Sequence, residues 1–154
     1  WGESVVIVDG SEVLNIARYG DKAVALASIS RDHGRTWSVL GESNLPMATS
    51  KPHAGVLTTG QRYLIGNTTA GCGHARDPLT IAVSRPGEKL FSKVWIIRRG
   101  VAPGFNDPPR TKLCYPYAAE YDGKLYVVYS VGHLPANQNS AELAVIQISA
   151  LHWE

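Results

Sequence analysis

Ser30-Arg31-Asp32-His33-Gly34-Arg35-Thr36-Trp37 is the stretch whose reading decides the fold. Its form, Ser-x-Asp-x-Gly-x-Thr-Trp, suits a tight reversal between two antiparallel strands. The short carboxylate of Asp32 can fold back onto turn amides, and Gly34 can take the positive φ that the reversal needs. Trp37 is expected to enter the next strand as a large apolar wedge. Asp32 therefore reads as a structural residue, not a catalytic one.

Outward from this turn, the chain alternates short β-type runs with Gly, Asp, Asn and Pro punctuation, and no long segment carries a helical period. Residues 4–8, the turn Asp9-Gly10 and residues 12–17 form a hairpin pattern, since Asp-Gly between apolar runs is a strong hairpin signal. Residues 23–30 make a third strand, and a fourth is expected from Thr36. The pattern returns in residues 54–58, Thr59-Gly60, 62–66, 79–84 and 93–97. Between the last two runs, residues 84–91 keep the serine and an aromatic at the same spacing without the aspartate, a degenerate copy of the octapeptide. A third copy uses residues 117–121, Asp122-Gly123, 124–129 and 142–148.

A repeat of about 50 to 60 residues, each giving four antiparallel strands, predicts β-propeller blades, here spanning roughly residues 1–45, 46–100 and 101–154. The expectation is an all-β partial propeller, a half ring of about three blades in a single domain. Closed propellers use about four to eight blades, so sheet edges and inter-blade faces are left to be covered by further chain or by a second copy in a homodimer. Strand parity places the Asp-Gly turns and the octapeptide on one face, called lower here. Glu3, Arg18, the loop around Arg76 and the segment ending at Tyr115 fall on the upper face. The segments 68–77, 99–115 and 131–140 are long, Gly- and Pro-rich and also upper, which marks that face as the binding face.

Composition narrows the function. The net charge is +2, and the basic residues are scattered singly apart from Arg98 and Arg99, so there is no nucleic-acid stripe. No apolar run approaches the ~20 residues of a membrane span. The chain begins at Trp1 with no signal-peptide pattern, which suggests a processed or excerpted N-terminus. The five histidines, among them His53 and His74, show no metal-ligand spacing, and neither a metal nor a cofactor is expected. Cys72 and Cys114 form either a disulfide or two separate thiols.

The octapeptide, with Ser30, Asp32, Gly34, Thr36 and Trp37 at its fixed positions, resembles the Asp-box, or BNR repeat, of sialidase-type propellers. Nearly the whole chain resembles the C-terminal half of an exo-α-sialidase (neuraminidase), a six-bladed propeller glycoside hydrolase. Glu3-Ser-Val-Val before Asp9-Gly10 resembles the segment of the catalytic glutamate, and Leu14-Asn-Ile-Ala-Arg18 that of the second triad arginine. Arg76-Asp-Pro-Leu-Thr resembles the third arginine's segment, and Cys114-Tyr115-Pro-Tyr117 that of the nucleophilic tyrosine.

The resemblance implies a site for a sialoside or other acidic glycan. Tyr115 would be the nucleophile of a retaining mechanism, Glu3 the base that activates it, and Arg18 and Arg76 the clamp on the substrate carboxylate. It also implies a secreted or periplasmic setting. The first triad arginine and the acid/base aspartate have no matching motif in this chain; Asp21 and Asp107 lie in upper loops outside any such motif. The alternative to an enzyme is a carbohydrate-binding or structural half-propeller that assembles with a second copy.

Overall fold

The computed structural model describes residues 2–20, 22–69, 76–100, 111–133 and 138–152, with the side chains of His133 and Gln138 left out. Among them are three antiparallel sheets, each built from consecutive strands. The first holds β1 (Ser4–Asp9), β2 (Glu12–Arg18), β3 (Val24–Ser30) and β4 (Gly41–Pro46). The second holds β5 (His53–Val56), β6 (Arg62–Gly66), β7 (Leu79–Ser84) and β8 (Phe91–Arg98). In the third, β9 (Lys112–Tyr121), β10 (Lys124–His133) and β11 (Gln138–Gln147) are followed by a 3-10 turn, Ile148–Leu151.

The hairpins follow from their turn residues. Gly10 closes β1 onto β2 at φ +59°, and Asp122 and Gly123 close β9 onto β10 at +49° and +68°. At Asp122-Gly123 two successive positive φ values match the right-handed twist of the flanking strands, whereas in the first hairpin Gly10 alone supplies one.

The Asp-box turn is a closed set of hydrogen bonds. The Ser30 hydroxyl donates to Asp32 Oδ1 at 2.8 Å and accepts from the Gly34 amide at 2.8 Å. Asp32 then accepts from the Thr36 amide at 2.8 Å and the Thr36 hydroxyl at 2.6 Å. These Thr36 bonds, hydroxyl first, together with that of Ser30, hold the Asp32 carboxyl down to about 2.

Trp37 corrects the expectation of a wedge. Its indole N–H donates to the Gly34 carbonyl at 2.9 Å, its ring stays 44% exposed, and β4 starts only at Gly41. The indole closes the turn from outside, so residues 36–40 lie outside any strand.

The second sheet lies between the other two, and every residue of β6 and β7 is buried. Leu64 and Ala82 pack toward Ile7, Ile16, Ala25 and Met47 of the first sheet and its exit segment. Ile65, Ile81 and Val83, on the opposite face, meet Leu125, Val127 and Val131 of the third. Alternating side chains thus serve two interfaces, which is why these strands read as continuous apolar runs. Each fully buried Ile or Val contributes roughly 1.5–3 kcal/mol.

Polar groups fasten the sheets at the lower turns. Arg62, with its side chain 4% exposed, reaches Asp9 at 2.6 Å and Glu12 at 3.3 Å in the first sheet, and Lys89 meets Glu12 at 2.6 Å. Hydrogen bonding from Arg62 lowers the Asp9 carboxyl, and bonding from Lys89 and then Arg62 lowers Glu12. Toward the third sheet, the Thr58 amide donates to Glu120 at 2.9 Å and Gln61 donates to the Leu151 carbonyl at 2.8 Å. In the degenerate box Ser84 Oγ instead accepts the Arg62 amide of the neighbouring strand at 2.8 Å and donates to the Arg85 carbonyl at 2.8 Å.

Candidate functional site

The upper face is built from strand ends. Glu3 precedes β1 and Arg18 ends β2; the Arg18 amide donates to the Glu3 carbonyl at 3.1 Å, extending the ladder by one pair. Gly2 permits this approach, because a Cβ there would stand 2.4 Å from Arg18 Cγ. The side chains form an ion pair, Arg18 Nη1 to Glu3 Oε2, at 2.8 Å. That buried oxygen nonetheless has no well-directed hydrogen bond, so the contact is coulombic and leaves a lone pair unused.

Arg76 leads into β7. Its carbonyl accepts the Leu113 amide of the third sheet at 2.8 Å, and its Nη2 donates to the Thr49 carbonyl at 3.3 Å. The guanidinium carbon stands 5.6 Å from the centre of the Tyr115 ring, and Nε is buried without a partner.

Tyr115 was expected in a loop before a strand, but β9 begins at Lys112 and contains it. Tyr115 and Pro116 together face the single residue Tyr129, a bulge that interrupts the β9–β10 register. Tyr115 takes φ +54° there, and its ring is half exposed. Such a backbone in a non-glycine residue costs of order 1–3 kcal/mol, and bulges re-aim side chains.

The structure therefore brings Glu3 to Arg18 and Arg76 to Tyr115. Thr49 links the two pairs: its hydroxyl donates to the Tyr19 carbonyl, next to Arg18, at 3.1 Å, while its own carbonyl holds Arg76. No hydrogen bond joins Glu3 to Tyr115 among the described residues. A cleft of about 460 Å³ opens beside Arg18 on the outer side of the first sheet, lined also by Asn15, Leu26 and Leu40, and none of its lining comes from Arg76 or Tyr115.

Sequence reading missed the support beneath these residues. Residues 47–50, Met-Ala-Thr-Ser between two strands, carry no motif, yet all four are buried. Ser50 donates to Asn67 Oδ1 at 2.6 Å, Asn67 Nδ2 donates to the Pro78 carbonyl at 3.0 Å, and the Ala48 amide donates to the Asn67 carbonyl at 2.9 Å. The one available signal was their position between two strands on the upper face. Asp77, beside Arg76, accepts the Gly100 amide at 2.7 Å and so fixes the same segment. Asp21, Cys72, His74 and Asp107 lie outside the described residues; Cys114 is buried. Among the described residues no three His, Cys, Asp or Glu side chains cluster as a metal site, and no helix is long and apolar enough to cross a membrane.

Residues 3–136 match the model of the BNR repeat-like domain. The chain belongs to that family. No curated protein matches this BNR repeat-like chain. Among solved structures it is similar to the NanB sialidase of Streptococcus pneumoniae, with TM-score 0.69, 14% identity, and 96% of this chain covering 23% of that one. A Trypanosoma rangeli sialidase gives TM-score 0.67 at 14% identity, with 96% of this chain and 23% of that chain covered. The Fusarium graminearum α-L-arabinofuranosidase arb93a gives 0.62 at 15%, with 95% and 45% covered. At these identities the likeness is one of fold: the three sheets are blades of a partial propeller. The BNR repeat-like chain spans less than half the length of each of these structures.

Proposed function

We propose that the upper face is the sugar site of a sialidase-like glycoside hydrolase, acting on terminal sialic acid or a related acidic sugar. The observation that carries this reading is Arg76: a planar guanidinium anchored at one nitrogen, with Nε buried and unpartnered, held over the ring of Tyr115. A guanidinium so placed suits a sugar carboxylate, which it can bind through two parallel hydrogen bonds.

In this reading the Tyr115 oxygen attacks the anomeric carbon as the glycosidic bond breaks, and the leaving oxygen takes a proton from an acid outside the described residues. Water then cleaves the glycosyl–tyrosine bond, giving overall retention. A phenolate is preferred over a carboxylate nucleophile because the substrate already carries a carboxylate at that carbon. Glu3 takes the Tyr115 proton. Since Glu3 is paired with Arg18, the substrate carboxylate must first replace it there, so substrate binding and activation of Tyr115 are coupled.

The test is hydrolysis of an aryl sialoside, with product stereochemistry, by wild type and Tyr115→Phe. Turnover with retention that is lost in Tyr115→Phe supports the reading; equal turnover in both overturns it. A second reading, a sugar-binding propeller without turnover, is favoured by the absence of a Glu3–Tyr115 contact. It predicts saturable sialoside binding with no product.

A further inference from the structure

His53 opens β5, the strand of the second sheet that approaches β9. Its ring lies 4.8 Å, centroid to centroid, from the ring of Tyr117 and 6.0 Å from that of Tyr63. Nε2 stands 3.4 Å from the Tyr63 hydroxyl. Gly55 makes room for this arrangement, because a Cβ there would lie 2.8 Å from the Tyr63 hydroxyl.

β9 is broken at Tyr115 and Pro116. Above the break, Leu113 is held by the carbonyl of Arg76; below it, the ring of Tyr117 packs against that of His53. Pro116 has no N–H with which to rejoin the ladder. A backbone in a sparsely populated conformation persists only when its surroundings over-determine it, and here the second sheet grips both sides.

We propose that His53 is a positioning residue for Tyr115: it fixes the lower half of β9 to the second sheet as Arg76 fixes the upper half, so that the Tyr115 ring stays beneath the Arg76 guanidinium. The inference rests on Tyr115 being the reactive residue of the site only for its functional consequence; the positioning itself is independent of any substrate. The groups facing His53 are Tyr63 on β6, Tyr117 on β9 and Lys51 on its own segment, with Glu120 acting on Tyr63. Burial first, and the Lys51 charge in addition, keep the imidazole below its usual range. Protonating it would place a charge in this aromatic contact and loosen the grip.

The test uses ring resonances of ¹³C-labelled tyrosine, with Tyr115 assigned by Tyr115→Phe. In His53→Ala the Tyr115 signal should move as far as it does in Arg76→Ala. His53→Phe, which keeps a ring against Tyr117, should restore it, and His53→Gln, which loses the ring, should not. In wild type the Tyr115 signal should also follow a titration with a midpoint below pH 6.5, absent in His53→Gln. A His53→Ala spectrum in which only Tyr63 and Tyr117 shift would overturn the proposal, as would a His53→Gln protein with an unmoved Tyr115. If His53→Ala does not fold, the Gln and Phe variants decide. In the sialoside assay His53→Ala should lose about tenfold in kcat with KM nearly unchanged, and His53→Phe should recover most of it. Absence of any sialoside binding by wild type would sink the sugar reading and leave the resonance test to judge His53.

Discussion

Arg76 and Tyr115 come from neighbouring sheets, yet the guanidinium carbon of one lies 5.6 Å from the ring centre of the other. The cation over the ring face fixes the ring without using the hydroxyl. Arg76→Lys keeps the charge but removes the planar pair of donors. Its affinity for sialic acid should fall roughly 10- to 100-fold, read by calorimetry, because an ammonium cannot bind a carboxylate through two parallel bonds. An Arg76→Lys protein that binds as tightly as wild type would show that the guanidinium geometry is not used.

The Asp-box should give the fold a dependence on acid. The Asp32 carboxyl is held down to about 2, against an unfolded value near 3.8, by bonds that exist only in the folded turn. A depressed folded value means stability that is complete above about pH 4 and lost as pH falls toward about 2. Asp32→Asn should lower Tm at neutral pH and flatten the change in Tm between pH 4 and pH 2. An unchanged slope in Asp32→Asn would place the acid sensitivity elsewhere.

An alkaline counterpart sits between the second and third sheets. Tyr129 donates to Glu142 at 2.8 Å, and Glu142 is gripped by Arg98 at 3.0 Å. Burial first, then the Glu142 carboxylate, push the phenol well above its ordinary range. A raised folded value gives stability that is full below the unfolded phenol value of about 10 and lost as pH rises beyond it. Thermal melts of Tyr129→Phe should show a smaller alkaline loss than wild type, with a cost of about 1 kcal/mol at neutral pH for the missing bond.

Arg62 is the buried member of the clasp between the first two sheets. Arg62→Met should cost about 1–2 kcal/mol in denaturant melts, since the stem packing is retained and both acids face solvent or Lys89. Removing the acids instead, in Asp9→Asn/Glu12→Gln, leaves a buried guanidinium without a counter-charge and should be the more damaging change. The reverse order would mean that the carboxylates repel each other more than they hold Arg62.

Much of the architecture was legible because turn chemistry is local. Asp9-Gly10, Thr59-Gly60 and Asp122-Gly123 each announced a hairpin, and strand parity alone put Arg18, Arg76 and Tyr115 on one face. What escaped depends on packing between sheets. A positive φ at Tyr115 has no sequence signal, since only glycine advertises it; the bulge arises where β9 must satisfy both β10 and the second sheet. Trp37 looked like a wedge by its size, but its N–H found the Gly34 carbonyl, and the ring stayed outside. Thr49, Ser50 and Asn67 are small polar residues that resemble any linker until the neighbouring blade buries them.

The measurement that bears most directly on the sugar site is calorimetric titration of the protein with sialic acid and, separately, with L-arabinose, in wild type and Arg76→Ala. An acidic-sugar site predicts saturable binding of sialic acid, weakened at least about tenfold by Arg76→Ala, and no binding of the neutral sugar. Binding of arabinose that is indifferent to Arg76, with none of sialic acid, would contradict it.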